Sequence, residues 1–170
     1  MDRLIALAGL LCTAAITPGP NNLVVLRKAG RAGVSGALPA IAGIVLGGLL
    51  LLTVMALGVG AAFAAHASLR LAVDVLGSLY LAWLGMALSM GAIAPGHSAG
   101  VARESALPTG IIGLVGFQFL NPKSWVMVLT VLAALPVTGL PDYLPLAGLF
   151  ALIPAACLLL WATLGAVLPR

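Results

Sequence analysis

The sequence predicts an all-α membrane protein with five transmembrane helices, broken in helices 1 and 4 and built as inverted three-helix repeats with the sixth helix missing. Three observations predict it. Hydrophobic residues fill 62% of the 170 positions and charged residues only 7%, whereas a soluble domain is about half apolar and a quarter charged. The apolar residues fall in five stretches, each near the ~20 residues that a spanning helix needs. Two of these stretches are interrupted by helix-breaking polar clusters, Thr17-Pro18-Gly19-Pro20-Asn21-Asn22 and Asn121-Pro122-Lys123-Ser124. Non-helical backbone at membrane depth strands N–H and C=O groups, so it persists only where it lines a protected or watery cavity. Matched breaks in two halves point to the substrate site of a transporter.

The stretch Leu4 to Leu26 reaches spanning length only with the Pro-Gly-Pro break inside it, and Arg27, Lys28 and Arg31 mark its end. Its first half, Leu4 to Ile16, is as short as a signal-peptide core, but Asp2-Arg3 before it carries no net charge and four apolar spans follow, which favours a retained helix. A lipoprotein reading of Cys12 fails because Leu11 precedes it. The second span, Pro39 to Phe63, has no charge, and Gly43-xxx-Gly47 with Gly48 predicts close helix approach. After a turn over Ala64 to Leu69 the third span runs from Arg70 to about Met90, with Asp74 one turn inside. The polar segment Gly91 to Pro108, with His97, Arg103 and Glu104, links the halves. The fourth span starts near Thr109, meets the Asn121-Pro122 break and continues to about Leu135. Pro136 to Pro141 is a turn, and the fifth span, Tyr143 to about Leu164, should kink at Pro154. The single integral membrane domain 1–170 thus divides into repeat one, 1–90, a linker, 91–108, and an incomplete repeat two, 109–170.

Lys and Arg in short loops favour the cytoplasmic side. A cytoplasmic 27–38 loop places Arg27, Lys28, Arg31, Arg103 and Arg170 inside against Arg3 and Arg70 outside, hence a periplasmic N-terminus and a cytoplasmic C-terminus. The net charge of +4 reflects eight basic residues against four acidic ones. That is a scarcity of acids, not a basic surface, and it argues against a nucleic-acid partner. Cys12 and Cys157 have no metal or dithiol spacing and read as small hydrophobes. His66 and His97 fall in predicted loops. No Ser/His/Asp set, paired carboxylates or phosphate loop is present, so no catalytic residue, metal or cofactor is expected and the chain does not read as an enzyme.

Pro18 and Pro20 each delete an N–H and obstruct the helix, while Gly19 permits backbone angles closed to other residues, so free carbonyls are expected at the first break. Asn21 or Asn22 can cap the restarted helix, whose N–H groups and dipole favour an anion. The second break repeats the device, with Asn121 as cap, Pro122 at the first helical position and Lys123 adding a full positive charge. Aligning Pro122 with Pro18 or Pro20 gives a repeat offset of 104 or 102, and Val24-Val25-Leu26 resembles Met127-Val128-Leu129. Three spans separate the breaks, so the halves are inverted. Such a site suits a small zwitterion such as an amino acid, its carboxylate at the helix N-termini or Lys123 and its ammonium on carbonyls and Asn side chains.

Ionisable groups at depth cost at least ~2.5 kcal/mol on insertion scales and have a function or a partner. Lys123 either serves the substrate or ion coupling, or snorkels to an interface. Asp74 either pairs with Arg70, four residues away, or couples protons. Tyr80 and Trp83 on the third span either line the cavity or pack and anchor the helix.

Three segments carry a resemblance to the LysE/RhtB family of amino-acid exporters: Thr17-Pro18-Gly19-Pro20-Asn21-Asn22, Gly77-x-x-Tyr80-Leu81-x-x-Leu84-Gly85, and Phe117-Gln118-Phe119-Leu120-Asn121-Pro122-Lys123. The resemblance spans essentially the whole chain. It implies a bacterial inner-membrane secondary transporter that expels amino acids or derivatives by proton antiport, with its N-terminus outside. Asn21, Asn22 and Phe117-Gln118-Phe119 are most similar to the cysteine/O-acetylserine exporter branch; Gln118, with Tyr80, is a candidate to line the cavity. The family has six spans, so two alternatives stand beside an active exporter. The chain is a truncated, non-transporting remnant, or a partner helix completes it, which from a second copy makes a homodimer. A membrane thiol/disulfide electron carrier, which can also have Pro-broken helices, needs a cysteine at each break, and residues 108–136 contain none.

Overall fold

The computed structural model describes residues 2–59, 62, 65–93, 110–135 and 137–168, and among them every regular element is helical. In chain order these are α1 (Asp2–Ile16), α2 (Pro20–Val54) leading into a π-helical turn (Met55–Val59), α3 (Ala67–Ile93), α4 (Gly110–Leu120), α5 (Pro122–Ala134) and α6 (Leu140–Val167). Both breaks stand where the prolines place them. The first separates α1 from α2, and the second bends α4 from α5 by 68°. Among the described residues, Pro20–Val59 and Leu140–Val167 are long and apolar enough to cross a membrane, and α4 with α5 makes a third crossing if counted as one bent span.

The basic segment 27–38 is the main departure from the expected segmentation. It is helical on both sides of a single break at Gly33, which adopts φ 72° and ψ 179°. Lys and Arg are good helix formers, so a cluster of them marks polarity without ending a helix. Gly33 ends it instead, because left-handed angles are open to glycine at no steric cost. Gly33→Ala is therefore expected to destabilise the protein by about 1 kcal/mol, read as a lower thermal midpoint in detergent, and an unshifted midpoint would refute the strain assigned to this bend. The expected kink at Pro154 does not divide α6, which continues through Pro145 and Pro154.

Helix 2 is the centre of the packing, held between α4 and α6. Lipid is as apolar as leucine, so helices associate here by close van der Waals contact rather than by hiding surface from water. The expected approach through Gly43-xxx-Gly47 is present. A Cβ at Gly43 would lie 2.9 Å from the Ile111 carbonyl oxygen, and one at Gly47 would lie 2.8 Å from the Val115 Cα. On another face Gly48 receives the Phe150 ring, at 3.2 Å from its would-be Cβ. The arm 20–32 lies against α6 even more tightly, where Gly165 meets the Leu26 carbonyl. Buried side chains form two clusters, one around Val24, Val25, Ile41, Ile44, Leu114 and Phe117, the other around Leu7, Leu11, Leu51, Leu52, Val128 and Leu146. Ile5, Leu57, Ile112, Leu152 and Val167 point outward, each at least 67% exposed. Outward apolar side chains of this size suit a lipid environment.

Candidate functional site

All four buried polar side chains among the described residues sit at the breaks: Asn22, Gln118, Asn121 and Ser124. Polar groups withdrawn from water need partners, and here some come from the same break and some from the opposite one. Asn21 and Gln118 exchange two amide bonds, Asn21 Nδ2 donating to Gln118 Oε1 at 2.9 Å and Gln118 Nε2 donating to Asn21 Oδ1 at 3.1 Å. Ser124 Oγ donates to the same Gln118 Oε1 at 2.8 Å, and Gln118 Nε2 also reaches the Leu114 carbonyl at 3.2 Å. Lys123 crosses the other way, its Nζ donating to the Thr17 carbonyl at 2.6 Å. The two breaks, about a hundred residues apart in sequence, thus form one hydrogen-bonded unit.

Local backbone chemistry explains how each side chain arrives there. Asn121 is the expected cap of α5: its Oδ1 accepts from the Lys123 backbone N–H at 3.2 Å, and Pro122 occupies the first turn, where its missing N–H costs nothing. The first break differs from expectation in two respects. Gly19, not Asn21 or Asn22, is the cap residue of α2, and it offers no side chain to the first turn. Asn21 and Asn22 fall inside that turn because Pro20 is already helical, so Asn22 points back across the break. Its Nδ2 donates to the carbonyls of Ala15 at 3.0 Å and Thr17 at 3.2 Å.

The carbonyls expected to be free at the end of α1 are accordingly engaged. Besides Asn22 and Lys123, Trp161 Nε1 of α6 donates to the Ile16 carbonyl at 3.1 Å. The orphan C=O groups at a helix end must be satisfied somewhere, and long-range donors supply them here. At the second break Trp125 Nε1 does the same for the Phe119 carbonyl at 2.9 Å. Asn121 Nδ2 is buried with no partner among the described residues.

Between the breaks lies a cavity of about 50 Å³, room for a few waters at the ~10–15 Å³ each requires. Its polar wall is Gly19, Asn21, Asn22, Gln118, Lys123 and Ser124, and its apolar wall includes Ile44, Gly48, Met127, Phe150 and Pro154. The predicted residues Pro18, Pro20, Asn121 and Pro122 shape the breaks without lining this space. Lys123 reaches back to the first break. Among the described residues its ammonium meets a carbonyl, not a carboxylate.

Alpha 3 reaches the second break through Gly77, whose would-be Cβ lies 3.0 Å from the Leu120 carbonyl oxygen and 3.3 Å from Pro122 Cδ. This assigns a packing reason to Gly77 in the third-span pattern. The side chains of Asp74 and Tyr80 on that helix lie outside the described residues, as do His97, Arg103, Glu104 and Arg170. Trp83 is half exposed and does not line the cavity. The sequence does not assign Ser124 to the site, although it stands within the break, nor Phe150 and Trp161, and it marks Pro154 only as a kink. No polarity or spacing on α6 ties those three to the breaks, because only packing brings that helix to the site.

An apolar helical chain whose two Pro-broken helices converge on a small polar cavity is a membrane translocator by architecture. The LysE type translocator family matches residues 12–169, and the chain belongs to that family. It is similar to a cysteine/O-acetylserine efflux protein of Klebsiella pneumoniae, 29% identical over 159 residues that make up 92% of this chain and 78% of the relative. It is also similar to an uncharacterized membrane protein of Pseudomonas aeruginosa, 36% identical over 77 residues, or 45% of this chain and 36% of that one. No solved structure matches the chain.

Proposed function

We propose that the chain is a secondary transporter that exports small amino acids or close derivatives across the inner (plasma) membrane by proton antiport, with its N-terminus periplasmic and its C-terminus cytoplasmic. The observation that carries this reading is the junction of the two breaks around one cavity, with Lys123 of the second seated on the Thr17 carbonyl of the first. The substrate carboxylate is received by Lys123 and by the first turn of α2, which Gly19 leaves uncapped by any side chain. The ammonium is received by the Thr17 carbonyl and the Asn21 and Gln118 amide oxygens. The small volume favours a substrate of the size of cysteine or O-acetylserine, the compounds in the name of the Klebsiella relative. The segments 1–90 and 109–170 act as the two repeats, and rocking one against the other exposes the cavity to alternate sides.

Efflux from preloaded proteoliposomes tests the reading. Lys123→Ala removes a charge-assisted bond of roughly 1.5–3 kcal/mol, so a loss of about ten- to a hundredfold in rate is expected. Pro18→Ala restores an N–H at the first break and is expected to slow efflux in the same direction. Wild-type rates in both variants would remove the two-break site from the mechanism.

A further inference from the structure

The cavity wall carries a cation that belongs to the chain. Lys123 Nζ lies 2.6 Å from the Thr17 carbonyl, which also accepts from Asn22 Nδ2 at 3.2 Å. That carbonyl follows directly on the C-terminal end of α1, where the helix dipole is negative and an ammonium is favoured. The backbone makes room for it: a Cβ at Gly19 would stand 3.1 Å from Nζ and 3.3 Å from Cδ of the same lysine. Gly19 has extended angles that any residue adopts, φ −166° and ψ 178°, so its smallness serves the lysine and not the turn.

We propose that Lys123 is a resident substitute for the substrate's ammonium, holding the Thr17 carbonyl whenever the site is unloaded. The inference rests on the zwitterion reading above. A substrate carboxylate draws Nζ away from Thr17, and the substrate's own ammonium takes the vacated carbonyl. On release, Nζ returns and again ties α5 to the end of α1. The helix-end carbonyl is therefore satisfied in both the loaded and the unloaded carrier, and neither has to expose it at membrane depth while the two halves move. Losing the lysine leaves the loaded carrier with the substrate's ammonium in place and the unloaded carrier with the Thr17 carbonyl held only by the longer bond from Asn22 Nδ2. The penalty falls more heavily on the unloaded transition.

The two transitions separate experimentally, because net efflux needs the unloaded carrier to return whereas exchange of internal for external substrate does not. In proteoliposomes loaded with radiolabelled cysteine kept reduced, wild type and Lys123→Met are compared for efflux into substrate-free buffer and for exchange against external cysteine. The ratio of net efflux to exchange is expected to fall about ten- to a hundredfold in Lys123→Met, the size of one lost charge-assisted hydrogen bond. Any loss common to both modes measures the lysine's hold on the carboxylate. An unchanged ratio overturns the proposal while leaving the two-break site standing. Wild-type protein that moves cysteine in neither mode overturns the substrate reading, and the proposal with it. Gly19→Ala, whose methyl group crowds Nζ, is expected to lower the same ratio, and it decides the matter if Lys123→Met is too slow in both modes to give one.

Discussion

Replacing Gln118 with leucine is expected to disable transport and to lower the thermal midpoint in detergent by an amount equivalent to about 2–4 kcal/mol, from two or more polar groups left unpaired at ~1–3 kcal/mol each. Gln118 is 1% exposed and binds Asn21 twice, Ser124 once and the Leu114 carbonyl once. Leucine keeps the bulk and removes every one of those bonds. Asn21 and Ser124 then face a cavity wall without partners, and the tie between the breaks is reduced to the Lys123–Thr17 bond. Adding Asn21→Leu should cost less than the sum of the two single changes, because the second substitution removes a group the first has orphaned. Melting curves and efflux assays on the two single variants and the double variant provide the check. A Gln118→Leu protein as stable and as active as wild type would show that the amide unit holds nothing together.

Gly165→Ala is expected to destabilise the protein by about 2–3 kcal/mol, at the upper end for forcing one methyl group into a packed site. Its Cβ would run into the Leu26 carbonyl oxygen and lie 2.9 Å from the Leu26 carbonyl carbon, both rigid backbone atoms. Helix 6 and the arm 20–32 must then move apart, and that arm begins at the first break. Transport should fall together with stability, because separating the arm from α6 displaces Asn21 and Asn22. Gly148→Ala on the same helix adds its methyl group to open space and should stay within ±0.5 kcal/mol. Equal midpoints for the two alanine variants would argue against close packing at Leu26.

The residues that break the helices were legible without coordinates. Proline chemistry is local: Pro18, Pro20 and Pro122 remove N–H groups whatever surrounds them, and Asn121 capping α5 needs only the residues that follow it. Gly43-xxx-Gly47 was legible for the same reason, since small residues four apart share a helix face. The segment 27–38 was misjudged because its charges resembled a loop boundary, whereas the real boundary is one backbone torsion at Gly33. The roles of Asn21 and Asn22 were misassigned because the cap register depends on where α2 starts, and Gly19 rather than either asparagine fills the cap position.

The sequence by itself determined that the chain is an apolar helical membrane protein, where its two breaks fall and which polar residues stand at them, because composition, helix termination and capping act over a few neighbouring residues. Only the tertiary structure decided that Asn21 pairs with Gln118, that Trp161 caps the end of α1 and that Lys123 spans 106 residues of sequence to the Thr17 carbonyl. Those choices depend on which orphaned carbonyl lies within reach of which donor once the helices have packed. In a bilayer that packing is set by van der Waals fit at glycines such as Gly47 and Gly165, a property of two surfaces together that neither strip of sequence contains alone.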